Sequence, residues 1–199
     1  MTDRRRFLFK KQEMPYTKIK YIESTGTQYI DTKYICGNDV RIETEFEYLQ
    51  IDSVFRCIYG KQTKTAAEDA ITVSQAVNYT VQAYWRTNLT PFTLEKDRRY
   101  KMLQSQNALV LDGVDYGGWS SSITKSQLTM YLMARNNNGS AGNFFKGRIY
   151  GFKIYESNIL AMDLIPVLDS SKVPCFYDKI SNELLYNKGT GEFLYAYKQ

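Results

Sequence analysis

Three carboxylates alternate within one short stretch of the chain. Glu43, Glu45 and Glu47 are each separated by one residue inside Val40–Tyr48. In a β-strand they would project from one face, while the mostly apolar residues between them face the core. Two carboxyl groups about 5–5.5 Å apart can perform retaining glycoside hydrolysis, but the outer face of a half-buried strand has the same pattern. We expect the second, and therefore predict no catalytic residues.

Four aromatic residues could stack on sugar rings, because an aromatic side chain combines a flat apolar face with a polar group. They form two pairs, Tyr84 with Trp85 and Tyr116 with Trp119. Trp119 is the better candidate, since it lies in the Gly- and Ser-rich stretch 117–122, where we expect an exposed loop. The alternative is that both tryptophans pack in or over the core. These four residues are the candidate glycan contacts.

The residues that several other kinds of site require are missing from the sequence. The chain has no histidine, which excludes Ser-His-Asp and Cys-His nucleophile systems and imidazole bases. Cys36, Cys57 and Cys175 form no CxxC pair, so we interpret them as buried, reduced thiols rather than zinc ligands or a disulfide framework. The aspartates are scattered, without the dense loop typical of a calcium site. We therefore predict no metal and no cofactor.

The positive charge of the chain is concentrated near its N-terminus. Residues 1–20 contain seven Lys or Arg and two acidic residues, whereas the rest of the chain contains nineteen of each. We interpret residues 1–15 as a basic docking arm that attaches the chain to a protein partner. The predicted attachment residues are Arg4, Arg5, Arg6, Phe7 and Phe9. One short basic cluster on a neutral body is no nucleic-acid signature, so we expect no nucleic-acid partner.

The apolar stretches of the sequence are short. None reaches the roughly 18 residues that predict a membrane span. The N-terminal apolar stretch, Phe7–Phe9, is shorter than the apolar region of about 7–15 residues in a secretory signal peptide. We therefore expect a protein that is made in a cytosol and has no membrane partner.

The body of the chain has the pattern of an all-β fold. Short alternating stretches recur with turn residues between them, as in sandwiches and jelly rolls. Val40–Tyr48 is the clearest predicted strand, and tight hairpin turns are predicted at 112–113 and 156–158. In the predicted strand 146–155, alternation places Tyr150, Phe152 and Ile154 on one face and Ile149, Gly151 and Lys153 on the other.

Three further stretches have less regular patterns. Thr90-Pro91 predicts a break in the chain, because proline lacks the N–H group that strand pairing uses. Residues 128–134 predict a strand with a mostly apolar composition. Residues 136–140, with three asparagines before a glycine, predict a long flexible loop.

Two stretches of the body resemble a known family. YIESTGTQYIDT, at 21–32, is similar to the opening signature of LamG-like jelly-roll domains, in the concanavalin A-like lectin and glucanase group. The stretches GRIYGFKIYESNILAMDLIPVLD and PCFYDKISNELLYNKGTGEF, between 147 and 193, are similar to its closing signature. The resemblance implies a jelly-roll sandwich of two antiparallel sheets over 16–199, with the first strand near the last. Glucanases of this group carry an ExDxxE-like strand; the ExExE at 43–47 departs from it in identity and spacing.

The resemblance also carries a functional expectation, because LamG-like domains are frequent in bacteriophage and prophage virion proteins and in gut-bacterial surface proteins. We expect a non-enzymatic virion structural protein, made in the host cytoplasm, that serves as an auxiliary capsid, head-decoration or fibre component. Its partners would be other virion proteins held through the arm, a cell-surface or mucosal glycan, and further copies of the chain as a homo-oligomer. The alternatives are a glycoside hydrolase-like carbohydrate-active enzyme and a bacterial surface lectin.

Overall fold

A computed structural model describes residues 15–63, 69–75, 80–86 and 88–198. All regular structure in these residues is β-strand, and they contain no helix with the length and hydropathy of a membrane-spanning segment. In chain order the described strands are β1 (Thr17–Thr25), β2 (Ile30–Asp31), β3 (Val40–Tyr48), β4 (Arg56–Gln62), β5 (Ile71–Gln75), β6 (Val81–Trp85), β7 (Asn88–Phe92), β8 (Arg99–Ser105), β9 (Ala108–Leu111), β10 (Val114–Asp115), β11 (Tyr131–Leu132), β12 (Arg135–Asn137), β13 (Ser140–Gly142), β14 (Lys146–Glu156), β15 (Ile159–Leu168), β16 (Pro174–Asp178), β17 (Leu184–Leu185) and β18 (Leu194–Tyr197).

These strands form two sheets, which we call the large sheet and the small sheet. The large sheet contains ten of the described strands in the order β10-β9-β8-β3-β14-β1-β15-β16-β17, with β18 paired to β1. The small sheet contains eight in the order β13-β12-β4-β5-β6-β7, with β11 paired to β2 and β4. The described strands pair in antiparallel fashion, except β12 with β4, which are parallel. The predicted all-β sandwich of two antiparallel sheets is confirmed.

An apolar core fills the space between the sheets. In β3, Ile42 and Phe46 are fully buried while Glu43 between them is half-buried on the opposite face, so the alternation predicted for this strand is confirmed. Tyr59 of the small sheet packs edge-on against Phe152 of the large sheet, with ring centroids 5.6 Å apart. The face of each sheet that is turned away from this core is called its outer face below.

The two stretches that carry the family resemblance lie against each other. Thr27 Oγ1 donates to the Thr190 carbonyl oxygen at 2.8 Å, and Gln28 Nε2 donates to the Glu192 carbonyl oxygen at 3.2 Å. Gly189 approaches so closely that an added Cβ would lie 2.0 Å from the Thr27 carbonyl oxygen. β1 also pairs with β18, which confirms that the first strand lies beside the last.

Two tight turns fix the register of hairpins in the large sheet. Asp112 and Gly113 have φ angles of 48° and 84°, and Ser157 and Asn158 have φ angles of 49° and 65°. Two successive positive φ values are the signature of a type I′ turn, whose twist matches that of the strands it joins. The hairpin turns predicted at both positions are confirmed.

Three predictions of local structure are wrong: a chain break, a loop and the length of a strand. Thr90-Pro91 lies inside β7, an edge strand of the small sheet, where one side of the strand needs no N–H donor. Residues 136–140 belong to the β12–β13 hairpin rather than to a loop. The strand predicted over 128–134 is reduced to β11, because Met133 has a φ angle of 66° and leaves the extended conformation.

Candidate functional site

A groove lies on the outer face of the large sheet. Its volume is about 530 Å³, within the range of about 300–1,000 Å³ that is typical of ligand pockets. It runs across β9, β8, β3, β14 and β15. The side chains and glycines that line its outer surface are Glu43, Glu45, Lys101, Leu103, Val110, Gly113, Tyr150, Gly151, Lys153, Asp163 and Ile165.

Sheet register places five of these residues in one row across the strands. Val110 is paired with Leu103, Leu103 with Glu43, Glu43 with Lys153, and Lys153 with Asp163. Four inter-strand steps of about 4.8 Å make this row about 19 Å long. One end of the row is apolar and the other alternates in charge, so a ligand along it meets apolar surface and hydrogen-bonding groups together.

A β-bulge in β14 shapes the floor of the groove. The register with β3 shifts between Ile149 and Gly151, so that Tyr150 and Gly151 lie opposite the single residue Glu45. The extra residue turns Tyr150 to the outer face, while Ile149 and Phe152 on either side are fully buried. The prediction that Tyr150 shares a face with Phe152 is therefore wrong.

Gly151 leaves the floor of the groove open. The nearest atom to a Cβ added there would be the Leu164 carbonyl oxygen, at 3.7 Å, an ordinary van der Waals distance. The space above Gly151 is therefore free. A side chain at this position would therefore start without a clash at its Cβ and extend into the groove that Gly151 lines.

Tyr150 forms one wall of the groove and is held on several sides. The Arg99 guanidinium lies 3.9 Å from the centre of its ring, and the Tyr21 ring packs against it with centroids 5.5 Å apart. Its hydroxyl donates to a Glu47 carboxylate oxygen. Burial, together with this hydrogen bond to Glu47, raises the pKa of Tyr150 to about 12, so the hydroxyl stays protonated at neutral pH.

The three alternating glutamates project from the outer face, as their spacing predicted. Each has an arginine partner: Arg41 Nε lies 3.1 Å from Glu43, Arg99 lies 2.7 Å from Glu45, and Arg148 lies 3.0 Å from Glu47 and also pairs with Glu23. The pairs of Glu45 with Arg99 and of Glu47 with Arg148 join neighbouring strands, whereas Arg41 and Glu43 both lie in β3. The arrangement is a charged ladder across the sheet.

The aspartate of the groove has an ion-pair partner, whereas the two lysines that line the groove have none among the described residues. Asp163 is 4% exposed and forms an ion pair with Lys179 from the adjacent strand end. Within the described residues, Lys101 and Lys153 lie within ion-pair distance of no carboxylate. Their ammonium groups are therefore available to donate hydrogen bonds to a ligand.

The structure places the two tryptophans in the core. Trp85 is 0% exposed and Trp119 is 7% exposed, and their rings stack with centroids 6.1 Å apart and planes inclined by 17°. The expectation of an exposed Trp119 is wrong, because the Gly/Ser-rich loop folds inward there, where the backbone N–H of Trp119 donates to the Gln106 carbonyl oxygen at 2.7 Å. Neither indole ring offers a free face to a sugar.

The tyrosines next to these tryptophans lie nearer the surface. Tyr116 is 40% exposed and packs against Phe92. Tyr84 is half-buried on the outer face of the small sheet, and its hydroxyl donates to Gln82 Oε1 at 2.6 Å. Neither tyrosine lines the groove of the large sheet, so the four predicted glycan contacts do not form one site.

Other candidate groups identified in the sequence stay apart from the groove. Cys36, Cys57 and Cys175 are free and buried, as predicted, and burial raises the pKa of each thiol to about 12. No three His, Cys, Asp or Glu side chains in the described ranges are grouped so that they could hold a metal ion. The predicted docking residues Arg4, Arg5, Arg6, Phe7 and Phe9 lie outside the described residues.

The chain was compared with known proteins at the level of sequence and of structure. No family profile matches it, and no curated protein matches it in sequence. Its structure is similar to that of a Bacteroides ovatus protein provisionally described as carbohydrate-binding, with a TM-score of 0.60 and 10% identity over 92% of this chain. It is also similar to domains LG4-5 of the mouse laminin α1 chain, with a TM-score of 0.50 and 12% identity over 73% of this chain.

This chain spans only part of both structural neighbours, 61% of the first and 44% of the second. At 10% and 12% identity the likeness concerns the fold and not the ligand. The chain therefore has the LG-like, concanavalin A-like jelly-roll fold that its two signature stretches resemble.

Proposed function

We propose that this chain is a non-enzymatic carbohydrate-binding module that holds a saccharide in the groove of the large sheet. The observation that carries the proposal is the open floor at Gly151, with the apolar side chains of Leu103 and Val110 on one side and the ammonium group of Lys153 on the other. Sugar rings have apolar faces and polar edges, so a groove that offers both kinds of surface suits them. The fold shared with a protein described as carbohydrate-binding supports the proposal by analogy.

Filling the groove should abolish the binding of neutral saccharides and leave the fold intact. We expect Gly151→Leu to lose at least about 90% of the signal on an array of neutral bacterial and mucosal glycans, because the new side chain occupies the space above the floor. Its melting temperature should stay close to that of the parent, since a Cβ at this position meets no atom closer than 3.7 Å. The measurement is array binding together with thermal unfolding followed by circular dichroism.

The matched control is Lys20→Leu, which adds a leucine at an exposed position of the same sheet away from the groove. It should bind like the parent. A folded Gly151→Leu variant that binds the same glycans equally well would reject the groove as the site. The same glycans test whether the chain is an enzyme. If the parent releases reducing ends from them and Glu45→Gln does not, the chain is a hydrolase and the proposal of a binding module is wrong.

We further propose that the module is carried on a bacteriophage particle as a capsid-decoration or fibre component, anchored by residues 1–15. The support is the resemblance of 21–32 and 147–193 to domains common in virion proteins, and the layout of a basic arm on a neutral body. A module displayed in this way would present its outer groove to surface glycans.

Quantitative mass spectrometry of purified phage particles tests this location. We expect the full chain to be present in the particles. Deletion of residues 1–14 should abolish its incorporation, and equal incorporation of the truncated chain would contradict the role of the arm. Many copies per particle would indicate decoration of the head, whereas a few copies would indicate a fibre. Absence from the particles would contradict the virion proposal and favour a bacterial surface lectin.

A further inference from the structure

A second pocket lies on the opposite side of the sandwich, on the outer face of the small sheet. It is formed at the end of β4 and by the β12–β13 hairpin, and its volume is about 440 Å³. The lining residues that the structure describes are all polar: Gln62, Thr63, Arg135, Asn137, Asn138 and Ser140. Amide, hydroxyl and guanidinium groups therefore converge here.

The parallel pairing of β12 with β4 brings the central groups of this pocket together. Asn137 is paired with Gln62, and Arg135 with Gly60, so all three polar side chains share one face. Arg135 Nε donates to Asn137 Oδ1 at 2.6 Å, and Arg135 Nη1 donates to Gln62 Oε1 at 3.1 Å. Two amide oxygens thus hold the guanidinium in place, while its remaining N–H donors are left for another acceptor.

Arg135 differs from several other arginines of the fold in its ion pairing. Ion pairs to carboxylates are formed by Arg41, Arg56, Arg98, Arg99 and Arg148. Over the described ranges no carboxylate lies within ion-pair distance of Arg135. Asp69, an acidic residue beside the pocket lining, accepts hydrogen bonds from the N–H and hydroxyl of Thr63 at 2.8 and 2.7 Å.

We propose that this pocket binds the carboxylate of an acidic saccharide, with Arg135 as the carboxylate-binding residue; the saccharide part rests on the function proposed above. A fixed guanidinium presents paired N–H donors that match a planar carboxylate. Arg135 is the single cation among the described lining residues, which suits one negative charge. The amides of Gln62, Asn137 and Asn138 and the hydroxyls of Thr63 and Ser140 supply donors and acceptors for sugar hydroxyls.

A pair of ligands that differ at the carboxyl group, one charged and one neutral, tests this pocket. Trigalacturonate and its methyl ester are titrated into the full chain by calorimetry. We expect the parent to bind the acid at least about tenfold more tightly than the ester, because charge-assisted hydrogen bonds are the stronger kind. Arg135→Gln should remove this preference, and Arg135→Lys should restore only part of it, because lysine keeps the charge but lacks the paired donors.

Two controls separate this site from the groove. In Gly151→Leu, where the groove is filled, the preference for the acid should persist. If the parent binds neutral saccharides yet prefers neither ligand, the Arg135 site is rejected while the proposed function stands. If the parent binds no saccharide, free D-galacturonate is added and the NMR resonance of Arg135 Nε is followed. A shift of that resonance would support Arg135 as a carboxylate-binding residue. An unchanged resonance would reject that role as well.

Discussion

Replacing Trp85 by alanine should lower the free energy of unfolding by about 3–5 kcal/mol, the range for large aromatic side chains removed from a core. Trp85 is 0% exposed and stacks on Trp119 from the loop after β10. The substitution removes the apolar contacts of both rings and leaves a cavity between β6 and that loop. Chemical denaturation with urea measures the loss.

Tyr116→Ala is the matched control, because Tyr116 is 40% exposed and contacts Phe92 at the surface. It should cost less than about 1 kcal/mol, as substitutions outside the core usually do. A Trp85→Ala variant as stable as the parent would contradict the stacked arrangement. If Trp119→Ala kept full stability but lost glycan binding, the interpretation of Trp119 as an exposed sugar contact would be restored.

Gly189→Ala should destabilise the fold by at least about 3 kcal/mol, the upper end of the usual cost of overpacking. An added Cβ would lie 2.0 Å from the Thr27 carbonyl oxygen and 3.0 Å from the Gln28 Cα. Both are backbone atoms, so no side-chain rotation relieves the clash. The two signature stretches would have to separate and lose the hydrogen bonds of Thr27 and Gln28 to 190 and 192.

A second glycine gives the control for this substitution. Gly151→Ala adds the same methyl group to the groove floor, where its nearest neighbour would be 3.7 Å away. Its free energy of unfolding should lie within about 0.5 kcal/mol of that of the parent, so the two melting temperatures should be nearly equal. Equal melting temperatures for both variants would show that the contact between Gly189 and Thr27 does not hold the two stretches together.

The alternation of apolar and polar residues predicted correctly a strand that has one face on the core and the other on solvent. Val40–Tyr48 has the predicted bounds and alternation because one face meets the core and the other meets solvent. Pattern failed where backbone geometry changes the environment. The bulge at Tyr150 reverses the facing of that residue, and alternation alone has no signal for an extra residue in one strand. Likewise, a proline such as Pro91 is compatible with a strand only at an edge, and sequence does not show which strands are edges.

The candidate sites were harder to predict than the fold because their residues are distant in sequence. The groove brings Leu103, Lys153 and Asp163 together only through the register of four strands. The Arg135 pocket depends on the parallel pairing with Gln62, which no local pattern encodes. The tryptophans were misjudged for a related reason: a Gly- and Ser-rich loop indicates a turn, but not whether the ring beside it faces solvent or the core.

The position of β1 in the large sheet has a consequence for synthesis on the ribosome. β1 pairs with β14, β15 and β18, whose residues all follow 145 in the chain. β1, which carries the buried residues Ile19 and Ile22, therefore leaves the ribosome long before the strands that pair with it. Pairing across such a separation is slow because the intervening chain must first be ordered. Closure of the sheet is thus a late step, and β1 stays unpaired and open to misassociation or chaperone binding until it occurs.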